Sequence, residues 1–159
     1  MATVARGTLT INAAFLQEIK DDNLRLQQLL EETRKLVAST KHPQILAAEL
    51  AGLCGELRDQ LALHFALEEA YGYFEDALSE APRLSTAAAA LKEQHKELFT
   101  EIRDIADKAE LIQYRKRVNA VPRQLMQRLC DFDARLAEHE MRENDLILAA
   151  FDDDLGVGD

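Results

Sequence analysis

Three of the four histidines fall on the apolar stripes of long amphipathic helices, and two of them carry a glutamate four residues on. These are His64-x-x-x-Glu68 and His139-x-x-x-Glu143, with His95 alone on a helix between them. A helix turns about 100° per residue, so positions i and i+4 share a face, about one turn apart. Each pair therefore directs a neutral nitrogen donor and an anionic oxygen donor at the same volume. That is a ligand set for a borderline first-row metal such as iron, built into the core of a helical bundle. A core stripe takes up about 0.3 of helix positions, so three histidines would share it by chance only a few per cent of the time, roughly. Ionised carboxylates in a core cost several kcal/mol unless something compensates. A metal pair bridged by Glu68 and Glu143 would compensate; a closed, metal-free His/Glu hydrogen-bond network is the alternative.

Four helices must hold these residues. The first is expected from about Thr10 to Val37, with the stripe Phe15, Ile19, Asn23, Leu26, Leu30. The second is expected from Pro43 to Leu78, with Leu57, Leu61, His64, Glu68, Tyr71, Phe74 and Leu78 on one face. Pro43 suits a first helical turn. The third begins at Ser85 as N-cap, with the stripe Leu84, Ala88, Leu91, His95, Leu98, Ile102, Ile105. The stretch from Asp107 to Val121 is open: a loop with an early turn of helix four, or an extension kinked at Pro122. The fourth runs from about Val121 to Phe151, with Leu125, Leu129, Phe132, Leu136, His139, Glu143, Leu146 and Ala150 inward. The acidic tail 152–159 is expected to fray.

Short connections favour an all-α, up-down-up-down antiparallel four-helix bundle in one domain spanning 1–159, its core about 10–151. Counted from the turns at about 1.5 Å per residue, Asn23, His64, His95 and His139 lie at similar heights. They can meet in one layer.

The order of these segments resembles the hemerythrin-like, HHE cation-binding domain. The likeness is carried by His64-Phe-Ala-Leu-Glu68-Glu69, Glu93-Gln-His95-Lys-Glu97 and His139-Glu-Met-Arg-Glu143-Asn144, and runs from helix one to Phe151. The resemblance implies a four-helix bundle with a non-haem di-iron centre held by His64, Glu68, His95, His139 and Glu143. It also implies a protein that binds or senses dioxygen or nitric oxide, or handles iron. On helix one that family usually carries a core histidine, and here the stripe offers Asn23, in Lys20-Asp-Asp-Asn23. An amide oxygen is a weak donor that prefers hard cations. A second metal with an open position, Asp22 as a substitute ligand about 100° around the helix, or a site with one metal or none are the alternatives.

Tyr71 follows Glu68 on the stripe, where it could hydrogen-bond a bridging carboxylate or a bound oxygen or nitric oxide; ordinary core is the commoner role. Glu69, Glu140 and Asn144 flank the motif glutamates and are expected on the solvated surface, and His42, before Pro43, in an exposed turn.

Charge and composition set the remaining bounds. Only six Gly and three Pro interrupt the chain, against 47% hydrophobic residues. A net charge of -10 argues against nucleic acid or an anionic membrane surface as partner. No stretch approaches the roughly 18 apolar residues that span a bilayer, and the first ten residues lack a signal-peptide core. Cys54 and Cys130 are expected as small buried thiols of a cytoplasmic protein. No Gly-rich phosphate loop or Ser/His/Asp arrangement is present. Three functions stay open: a non-haem iron protein that binds dioxygen or nitric oxide or handles iron, a di-iron oxidase, peroxidase or nitric oxide reductase, and a metal-poor bundle acting through protein contacts.

Overall fold

The computed structural model describes the backbone of residues 2–70 and 81–157, and the side chains of residues 14, 17–69 and 81–150. Among the described residues the chain is all-helical, with four α-helices and no strand. These are α1 (Ala2–Val37), α2 (Pro43–Ala70), α3 (Ser85–Gln113) and α4 (Arg123–Val157), with a 3-10 turn over Pro82–Leu84. Helix α1 packs on α2, α2 on α3 and α3 on α4, and a smaller contact joins α4 to α1. No described helix is long and apolar enough to cross a membrane.

The starts of α2 and α3 have local causes. At α2, His42 stands before Pro43; its Nδ1 accepts from the Gln44 amide at 3.2 Å and its carbonyl from the Leu46 amide at 2.9 Å. The first of these satisfies an orphan amide of the opening turn, and the second is the first bond of the helical ladder. Pro82, with its φ preset, starts the winding before α3 three residues early, so Ser85 is the first helical residue and not the cap. The stretch after Asp107 divides at Gln113: helix before it, an irregular connection after it. The connection is pinned where the Val118 amide donates to Gln44 Oε1 at 3.0 Å.

Two ends differ from the expected ones. Helix α1 begins at Ala2 and α4 continues to Val157. Gly7, Asp152–Asp154 and Gly156 are weak helix formers, but without a proline nothing forbids the helical backbone. The inward face of α1 also differs. Asp22 is buried and Asn23 exposed, and the inward series is Ile19, Asp22, Leu26, Leu29, Leu30 and Thr33. A step of three from Ile19 replaces the expected step of four. The expected end of α2, with Tyr71, Phe74 and Leu78, lies outside the described residues.

The large core cluster includes Leu26, Leu57, Leu61, Phe65, Leu98, Phe132 and Leu136. A smaller one joins Ala88, Leu91 and Leu146. Along α3 and α4 the histidines stand between these two clusters, so apolar side chains flank a polar layer. Leu136, fully buried, lies one turn before His139. Leu136→Ala should cost about 2–5 kcal/mol in urea unfolding. A loss below about 1 kcal/mol would show that this part of the core can collapse around the gap. Across the surface, Arg34 of α1 forks onto Asp133 of α4 at 2.7 and 2.8 Å, which helps to select this pairing.

Candidate metal centre

All three core histidines are oriented alike. In each, Nδ1 meets an oxygen on the outer side: Asp22 Oδ2 at 2.5 Å from His64, Glu69 Oε1 at 3.1 Å from His95, and Gln94 Oε1 at 2.8 Å from His139. These oxygens only accept, so each Nδ1 carries the hydrogen. The three Nε2 atoms then point at two carboxylates. His64 Nε2 lies 2.9 Å from Glu68 Oε1, and His95 Nε2 lies 3.1 Å from Glu68 Oε2 and 3.0 Å from Glu143 Oε1. His139 Nε2 contacts Glu143 Oε1. Glu68 thus stands between His64 and His95, and Glu143 between His95 and His139. His95, His139 and Glu143 bring one donor atom each within 4.8 Å of one another.

The helices make this possible by simple periodicity. His64 and Glu68 are one turn apart on α2, His139 and Glu143 one turn apart on α4, and α3 inserts His95 between them. The rings are also held by packing: Phe65 stacks on His95 with centroids 4.0 Å apart, and His95 meets His139 edge-on at 5.0 Å. Phe65 follows His64 directly and turns inward as well, which the expected stripe of α2 omits.

The cluster is buried, yet its hydrogen bonds do not close. His64 Nε2, His139 Nε2 and Glu68 Oε2 have close neighbours but no directed hydrogen bond. Buried polar atoms are nearly always satisfied, so three orphans in one cluster call for an explanation. Charge points the same way. Asp22, Glu68, Glu69, Glu140 and Glu143 surround three histidines. Even three imidazolium rings would leave two negative charges, and among the described residues no Lys or Arg pairs with these five. A divalent cation would supply the missing charge and use the orphan atoms as ligands. The donor set could therefore hold a metal ion.

Without metal, protons take its place. Burial disfavours the charged form of His64, but Asp22 and Glu68 outweigh it and raise its pKa to about 10. Burial acts likewise on His95, where Glu143, Glu68 and Glu69 prevail and raise it to about 9. Burial pushes the Glu68 carboxyl up, while His64 and His95 more than reverse this and hold it at about 2. The signs fix a stability window for the metal-free protein. The histidines contribute fully below their unfolded pKa of about 6.5 and lose that contribution as pH rises through 9 to 10. Glu68 contributes above about 4.5 and loses it as pH falls towards 2. Metal-free protein should therefore melt highest between about pH 4.5 and 6.5 and soften measurably by pH 10. A melting curve maximal near pH 9 would contradict these protonation states.

The structure places the sequence-derived residues unequally. His64, Glu68, His95, His139 and Glu143 come together. Asp22 joins them through His64 and also accepts from Gln60 Nε2 at 2.6 Å. Asn23 instead lines a cavity of about 270 Å³ beside the cluster, with His64, Glu68, Glu140 and Asn144. Glu140, expected on the surface, is half-buried with Oε1 3.5 Å from His64 Nε2. Burial and the neighbouring Glu143 and Glu68 push its carboxyl above the ordinary range, against the opposing pull of His64 and His139. Glu69 is exposed as expected but still reaches His95. Gln60, Gln94 and Glu140 carry no sequence signal that separates them from other surface residues of their helices. Of the two cysteines, Cys54 is buried, its thiol pushed up to about 12 by burial, whereas Cys130 is exposed, contrary to expectation.

Compared with protein-family models, curated proteins and solved structures, the chain finds no match in any of the three. Fold and site alone define its class: an all-helical protein with a buried histidine–carboxylate cluster suited to a metal ion.

Proposed function

We propose that this chain is a non-haem iron protein of the hemerythrin-like kind, an up-down-up-down antiparallel bundle with one or two iron ions in its core. The carrying observation is the common orientation of the three histidines, Nδ1 outward to an oxygen and Nε2 inward to the carboxylates. Such outer partners fix the tautomer and raise ligand basicity in metal sites. His64, Glu68, His95, His139 and Glu143 would hold the metal. Bound ferrous iron supplies a centre that takes dioxygen or nitric oxide. Asp22, Glu69 and Gln94 keep the imidazoles aimed, Phe65 packs against His95 and His139, and the cavity beside His64 gives a small molecule access. The short connections 38–42 and 114–122 and the sequential packing of α1 to α4 support the topology. Two free cysteines suit a reducing, cytoplasmic setting.

A second reading, a di-iron redox enzyme, draws on Glu140, whose carboxyl is held above its ordinary range beside the cavity and could deliver a proton. Metal analysis and the optical spectrum of protein purified without added metal test both readings. Iron near one or two equivalents is expected, with a melting temperature that rises on adding ferrous iron to stripped protein. Protein that carries no transition metal and gains no stability from ferrous iron acts some other way. Multiple turnover with peroxide or nitric oxide would select the enzyme.

A further inference from the structure

The metal-binding layer is not equally enclosed. His95, His139 and Glu143 are each at most 4% exposed and none of them lines the cavity. His64 and Glu68, also buried, do line it, and the orphaned Nε2 of His64 lies 3.5 Å from Oε1 of Glu140, another lining residue. The remaining polar wall is Asp22, Asn23, Gln27, Glu140 and Asn144, with Ile19 and Leu67 as the apolar part. It holds three carboxylates, counting Glu68, and no Lys or Arg. A cavity of that sign repels organic acids and phosphates and concentrates cations. Within it, Asp22 is engaged by His64 and Gln60, and Glu68 by the two histidines. Glu140 is the least committed: it is partly exposed and its Oε1 stands 3.5 Å from His64 Nε2, too far for a firm hydrogen bond.

We propose that this cavity is the loading port for the divalent cation, and that Glu140 at its inner end is the carboxylate that passes the cation to His64 and Glu68. The port rests on the metal reading above and adds a direction to it: the ion enters between α1, α2 and α4, reaching the His64/Glu68 side of the layer first. Loading is ligand exchange without redox change. The Glu140 carboxylate would take the place of one water of a hydrated cation, that water leaving to solvent; His64 Nε2 and Glu68 would then replace Glu140, and the protons they give up would leave to solvent.

Cobalt(II) is a suitable probe, since it does not oxidise readily and its visible absorption reports the bound state. Uptake by metal-stripped protein would be followed by stopped flow, and bound cobalt counted at the end. Glu140→Gln should slow uptake at least about tenfold and flatten its dependence on ionic strength, with final cobalt content unchanged. Glu138→Gln, which removes an exposed charge paired with Arg142 on the same helix, should leave the rate within about twofold. Asn144→Asp adds a carboxylate to an exposed cavity position and should speed uptake severalfold, which keeps the test open if Glu140→Gln folds poorly. An unchanged rate in Glu140→Gln or in Asn144→Asp overturns the port. So does a lower final cobalt content in Glu140→Gln, because Glu140 would then be a resident ligand. Unmutated protein that takes up neither cobalt nor ferrous iron removes the metal site itself, a result distinct from a site that fills at the same rate in every variant.

Discussion

His139→Ala should strip most of the metal from the proposed centre and erase the stability that added iron is expected to confer. The ring is 2% exposed, its Nδ1 is anchored on Gln94, and its Nε2 faces Glu143 with no directed hydrogen bond. Truncation removes one proposed ligand and frees Glu143, the other proposed α4 ligand, from its nearest partner. A metal that binds only the folded form at a hundredfold excess over its Kd stabilises by about 2.7 kcal/mol. In a chain of this size that corresponds to roughly 5–10 °C in melting temperature. The gap between iron-loaded and stripped wild-type protein should have that order, and in His139→Ala it should vanish. Melting both proteins in both states separates this loss from the packing defect, which lowers the two states of the variant together. A variant that keeps the full gap would show that the metal, if bound, sits elsewhere.

How much of this was legible in the sequence varies from helix to helix. Every expected inward residue of α4, from Leu125 to Ala150, is buried, and so are Ala88 to Ile105 of α3. Among the described residues α3 has nine buried positions and α4 eight, at regular steps, and a long periodic series fixes its own phase. On α1 the readable stripe is shorter, and two adjacent polar residues, Asp22 and Asn23, offer two phases that differ by about 100°. The residue-type argument favours the neutral side chain for the core, because a buried carboxylate is costly. The fold places the carboxylate there because His64 supplies a cation or a hydrogen-bond donor for it. That compensation comes from another helix, 42 residues on, and no local pattern displays it. Glu140 and Gln94 have the same origin: each gains its place from the packing of a neighbouring helix, not from its own periodicity. The motif pairs His64/Glu68 and His139/Glu143 needed only the i, i+4 rule, and their convergence with His95 followed from helix lengths and turn positions.

Asp22→Asn should weaken metal binding by about 10- to 100-fold, the loss common when an outer-shell carboxylate behind a ligating histidine is removed. Asp22 Oδ2 takes the Nδ1 hydrogen of His64 at 2.5 Å, and Gln60 holds the other oxygen. The carboxylate thereby keeps Nε2 free and makes the ring more electron-rich. An asparagine can still accept that hydrogen bond but adds no charge, so aim is kept and basicity lost. Stoichiometry tells this positioning role from direct ligation. A positioning residue lets the site refill at high iron, with a weaker apparent Kd and the same final metal count. A ligand, once lost, leaves one equivalent missing however much iron is added. The paired control is Asn23→Leu. Asn23 is exposed and lines the cavity, so replacing its amide should leave both affinity and count nearly unchanged. Metal titrations of the two variants, read side by side, therefore assign the helix-one contribution. Refilling of Asp22→Asn with Asn23→Leu intact makes Asp22 the orienting group for His64. A permanent loss of one equivalent in Asp22→Asn makes it a ligand, and a loss confined to Asn23→Leu would return that place to the amide.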